Sequence, residues 1–147
     1  MKERPILFSA PMVRAILAGQ KTVTRRVFAG EFAGWIGLHT PLTRMPDGGS
    51  VAKRCPYGVP GDRLWVRETW RAPDYFDLIA PREMDATRTP IWYNATPGEV
   101  SFPTVAQPGK TRVSIHMPRW ASRIDLELTA VRVERLQNIS EEDAISE

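Results

Sequence analysis

The segment Gly19–Arg26, with the sequence GQKTVTRR, brings a lysine, a threonine and an arginine close together in the chain. Thr24 offers a hydroxyl that can attack a planar acyl carbon, but a hydroxyl needs a base at neutral pH. Lys21 can be that base if partial burial and neighbouring positive charges lower its pKa from the ordinary value of about 10.4. Arg26 would orient a carbonyl, phosphate or pyrimidine oxygen, and a carboxylate would pass a proton to the departing amine. The alternative is that Lys21 and Arg26 only neutralise helix-end carbonyls and surface carboxylates.

A short helix is predicted just before this segment. Ser9 and Pro11 are typical of a helix N-terminus, and Gly19 stands where a left-handed C-terminal residue is usual. Between them, apolar residues recur at helical spacing, at Met12, Val13, Ile16 and Leu17. We therefore expect a helix that packs by one face and ends where the segment begins.

The segment itself is predicted to enter a strand, because Thr22–Phe28 is rich in β-branched residues and alternates in polarity. In a regular strand, Lys21 would point with Val23 and Arg25, away from Thr24. A base and a nucleophile can meet here only if Lys21 lies outside the regular strand, which the helix end just before it allows.

A second strand is predicted at Arg63–Trp70, after a turn at Pro60-Gly61-Asp62. Its alternation places Glu68 on the same face as three apolar residues, Leu64, Val66 and Trp70. A carboxylate at such a position is either solvated at the strand end or part of a polar pocket. The sequence leaves both readings open.

A proline-rich insertion is predicted at about 73–110, with one short strand at Pro90–Tyr93. The insertion either lines a site or is a surface loop without a role. Beyond it, alternating residues predict a strand over Arg123–Gln137, with a bulge near Thr129-Ala130. Bulges of this kind bend the strands of small barrels.

Ser140 then opens a second helix with the spacing of a capping box. The chain stops soon afterwards at Glu147, so we expect a truncated product. The whole of residues 1–147 falls in the size range of a single domain.

The composition is that of an ordinary folded chain, with 42% hydrophobic and 25% charged residues. Its only cysteine, Cys55, cannot form an internal disulfide, and the apolar stretch Ile6–Val13 is too short for a signal core or a membrane span. We therefore expect a cytoplasmic protein without a membrane partner or a disulfide-linked partner. With only His39 and His116 besides that cysteine, the chain has a poor ligand set, and we expect no metal and no cofactor.

Arginine supplies 16 of the 20 basic residues, although the net charge is only +3. The planar guanidinium suits phosphate and carboxylate recognition, which favours a nucleic acid or nucleotide as partner. A codon preference for arginine explains the same count equally well.

The spacing Gly19-x-Lys21-x-x-Thr24-x-Arg26, after a helix and with a bent small barrel to follow, resembles the ASCH domain of the PUA-like superfamily. The family pattern has a glutamate where this chain has Thr24. A threonine there is similar to the bacterial ASCH enzymes that hydrolyse N4-acetylcytidine, in which a lysine, this threonine and a downstream glutamate form the proposed catalytic set. The resemblance implies an α+β fold, an open β-barrel with short flanking helices, and catalytic roles for Lys21 and Thr24.

The resemblance places the catalytic glutamate in the second helix. Aligning Ile139-Ser140-Glu141 with the start of the corresponding family helix brings Glu147 to the catalytic position. Glu141 or Glu142 is the alternative counterpart.

Two further segments, Pro60–Trp70 and Ile115–Arg123, resemble ASCH-like proteins common in bacteriophages and prophages. Together with the first segment, they give the side chains that we expect to bind substrate at the barrel mouth, namely Arg26, Arg67, Glu68, Arg119 and Trp120. The three arginines of this set should converge on one concave face, and the tryptophan should stack on a base.

The implied activity is metal-independent hydrolysis of an N4-acylated cytidine, with a nucleoside or nucleotide as substrate and RNA as a further partner. An RNA-binding module without activity and a ribonuclease are the alternatives, since ASCH domains are linked to both.

Overall fold

The computed structural model describes residues 1–28, 30–36, 40–46, 50–52 and 55–145. It is a mixed α+β structure of small sheets, short helices and 3-10 turns, as expected from the sequence. The helices are α1 (Ala10–Leu17) and α2 (Glu141–Ile145). The strands are β1 (Glu3–Leu7), β2 (Phe32–Ile36), β3 (Thr40–Arg44), β4 (Ser50–Ala52), β5 (Arg63–Arg67), β6 (Trp70–Arg71), β7 (Trp92–Tyr93) and β8 (Asp125–Glu127).

The strands form three sheets, with orders β1-β5-β8, β2-β3-β4 and β6-β7. The second and third sheets are antiparallel. By its contacts the chain divides into two compact units, which share these elements. Unit 1 comprises Met1–Arg4, Gln20–Leu64 and Leu126–Glu147, and unit 2 comprises Pro5–Gly19 and Trp65–Asp125.

The predicted first helix is confirmed as α1. Ser9 takes the extended conformation of an N-cap residue, although its hydroxyl makes no capping hydrogen bond. Val13 is fully buried on the inner face. At the other end, Gly19 adopts a positive φ of 71°, which a side chain would disfavour, and the helix stops there.

The predicted turn before β5 is also present in unit 1. Gly61 has a φ of 89°, and its N–H donates to the carbonyl of Leu128 over 2.8 Å. The neighbouring carboxylate of Asp62 accepts the N–H of Lys2 over 2.7 Å. The turn therefore fastens the start of β5 both to the N-terminus and to the residue after β8.

The hydrophobic core of unit 2 is built around Trp70, which is fully buried. Its other buried members are Ala72, Met84, Ile91, Tyr93, Met117 and Ala121. Met84, Ile91 and Tyr93 come from the proline-rich insertion. The insertion therefore forms part of the core and is not a surface loop without a role. Its predicted short strand is confirmed as β7, which pairs with β6.

The base of the insertion is closed by backbone contacts. Asp74 N–H donates to the carbonyl of Gln107 over 3.0 Å, and Gly109 N–H donates to that of Ala72 over 2.8 Å. A Cβ on Gly109 would lie 2.7 Å from the Cα of Asp74, so only glycine fits where the two ends meet.

Two strand predictions were too long. The strand predicted over Arg63–Trp70 is interrupted, since β5 ends at Arg67 and β6 begins at Trp70. The strand predicted over Arg123–Gln137 is confined to β8. Past Leu128, whose N–H donates to the carbonyl of Asp62, the chain alternates half-buried valines with exposed charged residues but enters no ladder.

Candidate functional site

The segment with the lysine and the threonine is not a strand, so the prediction for Thr22–Phe28 is wrong. Residues 20–28 have no regular secondary structure. The reason is local, because side chains occupy the carbonyls that a strand partner would need. Lys21 Nζ donates to the carbonyl of Val23 over 2.7 Å, and Arg26 Nη1 donates to that of Arg25 over 2.8 Å.

This conformation removes the geometric objection to a pairing of Lys21 with Thr24. The carbonyl of Val23 belongs to the peptide group that joins Val23 to Thr24, so the lysine side chain folds back beside the threonine backbone. Lys21 is 7% exposed, a low value for a lysine. The side chain of the candidate base is therefore buried, which is one of the two conditions named above for its role.

Thr24 is half-buried, and its hydroxyl oxygen accepts a hydrogen bond from Arg26 Nη1 over 2.8 Å. A hydroxyl that accepts at its oxygen keeps its own proton for donation to a base. The guanidinium of Arg26 is exposed and stands 6.0 Å from the ring centre of Tyr57. The arginine thus fixes the rotamer of the candidate nucleophile and leaves its own outer edge at the surface.

A carboxylate that sequence reasoning missed lies beside this segment. Glu134 accepts Arg25 Nε over 3.3 Å at one oxygen and Arg132 Nε over 3.0 Å at the other. The Arg25 and Glu134 side chains are only 18% and 26% exposed. Arg25 and Glu134 are 109 residues apart in the chain, so no local sequence pattern could have predicted their contact.

Of the three carboxylates proposed from the sequence, the structure describes two. Glu141 and Glu142 are exposed residues at the start of α2. Glu147 and His39 lie outside the described residues. The choice between the three glutamates stays a prediction.

The remaining predicted site residues belong to unit 2, where two arginines flank one indole. The guanidinium carbon of Arg67 lies 4.6 Å from the ring centre of Trp65, and that of Arg119 lies 5.9 Å from it. Arg119 forms an ion pair with Asp125 at 2.9 Å. The structure thus brings two of the three arginines together, and their convergence with Arg26 stays a prediction.

Trp120 packs against the core of unit 2. Its ring meets Trp70 edge to face, with centroids 6.4 Å apart and planes at 80°. The residue is half-buried. Its proposed stacking on a base must therefore use the part of the indole that the core leaves uncovered.

Glu68 is buried in a polar pocket rather than solvated at a strand end. It is 1% exposed and accepts two hydrogen bonds from Arg123, over 2.9 Å and 3.1 Å. The same guanidinium bonds Glu99 at 2.8 Å and lies 3.9 Å from the ring centre of Tyr93. Bidentate pairing compensates the desolvation of the two charges, so Glu68 has a structural partner where a substrate contact was expected.

Among the described residues, no three histidine, cysteine, aspartate or glutamate side chains are grouped to hold a metal ion. Cys55 is a half-buried free thiol. No helix in the described ranges has the length and apolar run needed to cross a membrane. Comparisons with family models, with curated proteins and with solved structures gave no match.

The Glu68–Arg123 pair predicts unequal effects of two similar substitutions. Glu68→Gln should lower the free energy of unfolding by about 3 kcal/mol, because it leaves a buried guanidinium undercompensated. Glu99→Gln, which removes the half-exposed partner of the same arginine, should cost less than about 1 kcal/mol. Urea unfolding of both variants measures the difference. Equal losses would contradict a dominant buried pair.

Burial raises the pKa of Tyr93 to about 12, opposed by Arg123 and assisted by Glu68 and Glu99. The folded protein therefore keeps this phenol proton while the unfolded chain loses it near pH 10, so stability falls as the pH rises from about 10 to about 12. Tyr93→Phe should reduce that fall and remove the last phenolate absorbance step of the native protein. If that step survives in Tyr93→Phe, the assignment is wrong.

Proposed function

We propose that this chain is an ASCH-type protein of the PUA-like superfamily and that it hydrolyses N4-acylated cytidine at Lys21 and Thr24. The proposal rests on the spacing from Gly19 to Arg26, on the helix that ends at that glycine, and above all on one contact. The hydrogen bond from Lys21 Nζ to the Val23 carbonyl holds the ammonium beside Thr24. In the predicted strand, the side chains of Lys21 and Thr24 would have pointed to opposite faces.

In the first step, Lys21 in its neutral form takes the proton of the Thr24 hydroxyl, and the oxygen attacks the acyl carbon. The carbonyl oxygen becomes an oxyanion, which a guanidinium such as that of Arg26 stabilises. The bond from the acyl carbon to N4 then breaks, and N4 receives a proton from a carboxylic acid. Cytidine leaves with its amino group restored, and the acyl group remains on Thr24 as an ester.

Lys21 then passes the proton it took from Thr24 to the carboxylate that protonated N4, so both groups return to their starting protonation states. In the second step, water attacks the ester carbon, and neutral Lys21 takes a proton from the water. The bond between the acyl carbon and the Thr24 oxygen breaks, the oxygen takes that proton back from Lys21, and the acyl group departs as a carboxylic acid. The balance is one acylcytidine and one water converted into one cytidine and one carboxylic acid. Every proton moves through side chains and water.

The proton donor to N4 is assigned to Glu147 by the family resemblance, with Glu141 and Glu142 as alternatives. Glu134 is a fourth candidate, because Arg25 holds its carboxylate beside the segment that carries the lysine and the threonine. Individual glutamate-to-glutamine variants separate the four, since only the true donor is required for departure of the amine.

The fold that belongs to this proposal is an open β-barrel with short helices at its edges. The small sheets β1-β5-β8 and β2-β3-β4 and the position of α1 before the proposed catalytic segment are compatible with this fold. A cytoplasmic enzyme that acts on a nucleoside or nucleotide, with RNA as a further partner, follows from the same resemblance.

Loss of either group of the pair should remove most of the chemical step. Thr24→Ala and Lys21→Met should each lower kcat for N4-acetylcytidine by about 10²- to 10⁴-fold, and the double variant should cost little more. Lys21→Arg should not restore the rate, because a guanidinium stays protonated. For the wild-type protein, kcat should rise with pH to a plateau as the lysine loses its proton.

The matched controls are Thr22→Ala and Lys110→Met, which remove the same groups from exposed positions. Both should keep wild-type activity, and thermal unfolding should show that all variants fold. If the wild-type protein leaves N4-acetylcytidine intact yet binds structured RNA with an affinity that falls steeply with salt, the RNA-binding alternative replaces the hydrolase.

The mechanism draws its nucleophile and its base from side chains, so turnover should survive removal of divalent metals. We expect dialysis against EDTA to leave kcat and KM unchanged. Abolition of turnover by EDTA, with recovery on addition of zinc or magnesium, would show that the roles assigned to Lys21 and Thr24 are wrong.

A further inference from the structure

Unit 2 contains a cleft of about 430 Å³ whose lining includes two arginines and a histidine. We propose that this cleft binds the phosphate of a nucleotide, with Arg67 as the principal contact and Arg82 and His116 as supporting groups. The volume lies within the range of small-ligand clefts. The proposal uses contacts within unit 2 alone and does not depend on the proposed hydrolase.

Arg67 is held in position but is not neutralised. Its guanidinium lies over the indole of Trp65 at 4.6 Å, and Nη1 donates to the carbonyl of Ile115 over 3.2 Å. Nε is buried without a hydrogen-bond partner, and no described carboxylate pairs with this side chain. A guanidinium that is stacked, fixed by one hydrogen bond and paired with no described carboxylate is preorganised for contact with an anion.

Arg119 lies near the same indole, but its charge is neutralised by an ion pair. It stands 5.9 Å from the ring centre of Trp65 and pairs with Asp125 at 2.9 Å. Both arginines lie near the Trp65 ring, but among the described residues only Arg119 has an acidic partner. The charge that remains for an incoming phosphate is therefore that of Arg67.

The rest of the cleft lining combines polar and apolar side chains. Arg82 and His116 are exposed, and among the described residues the acid paired with this arginine is Glu83, at 3.7 Å with both side chains more than half exposed. Such a surface pair contributes little and does not compete with a phosphate. None of the described residues that line the cleft carries a carboxylate.

The apolar part of the lining explains why a nucleotide fits better than a bare phosphate. Ile115 is 57% exposed, and Pro81 and Pro118 lie beside it in the wall. A planar base can cover this surface while its phosphate reaches the guanidinium edge. The same chemistry is offered by a free mononucleotide and by a residue of single-stranded RNA.

Calorimetric titration tests the proposal with cytidine, cytidine 5′-monophosphate, inorganic phosphate and a short single-stranded oligoribonucleotide. We expect the monophosphate or the oligonucleotide to bind and cytidine to bind far more weakly. Arg67→Gln should weaken phosphate-dependent binding about ten- to a hundredfold, the loss expected for a charged hydrogen-bonded contact. Arg67→Lys should restore part of it, because the charge returns without the stacked fork.

Arg88→Gln is the control, since it removes one exposed arginine of unit 2 that does not line the cleft. Binding of the monophosphate that depends on Arg67 supports a free nucleotide as ligand, and binding confined to the oligonucleotide supports an RNA chain. Equal losses in Arg67→Gln and Arg88→Gln overturn the proposal, because they show only a general charge effect. Equal affinity for cytidine and its monophosphate also overturns it. Thermal unfolding of each variant confirms that a loss does not come from misfolding.

Discussion

The buried pair of Glu68 and Arg123 is the constraint on which unit 2 depends. A carboxylate in a hydrophobic core is tolerated only when its partner is held in good geometry, and here both oxygens are bonded. The guanidinium also contacts Tyr93 and Glu99, both within the insertion. The residue after β5, the insertion and Arg123, two residues before β8, must therefore reach one point, which limits how this part of the chain can fold.

The segment that follows α1 depends on a different use of polar side chains. Positive φ at Gly19 ends the helix, and the carbonyls of Val23 and Arg25 then accept side-chain donors instead of strand partners. These two backbone carbonyls therefore have hydrogen-bond donors within the segment itself. As a result, the ammonium of Lys21 and the hydroxyl of Thr24 lie on a segment without strand pairing, which suits the proton exchange that we propose between them.

The elements that sequence reasoning predicted well are those with local causes. The ends of α1 and the turn at Gly61 follow from single residues with special backbone preferences, and β7 follows from a short aromatic run. The predictions of long strands failed because alternating polarity indicates that one side of a segment is buried, but it does not indicate that a partner strand is present. Past Leu128 the alternation continues and the pairing does not.

In the candidate site, too, only the contacts between residues close in sequence could be predicted. Lys21, Thr24 and Arg26 are close in sequence, and local hydrogen bonds relate them. The carboxylate of Glu134 is more than a hundred residues from Arg25, with a sequence separation of 109, and no local pattern gives that contact. Glu68 was recognised as anomalous, because a charge shared a face with apolar residues, but its partner Arg123 depends on tertiary structure alone.

The high arginine content has a third explanation beside nucleic-acid binding and codon preference. Arg112 is 9% exposed and donates to the carbonyls of Phe76 and Ile79 over 2.6 Å and 3.2 Å, while Arg14 donates to that of Ala95. An insertion with few regular elements leaves carbonyls unpaired, and a guanidinium can satisfy two of them at once. Most of the arginines in unit 2 that have defined contacts thus serve the fold. Against that background, Arg67 is different, because its guanidinium is stacked and fixed while no described carboxylate pairs with it.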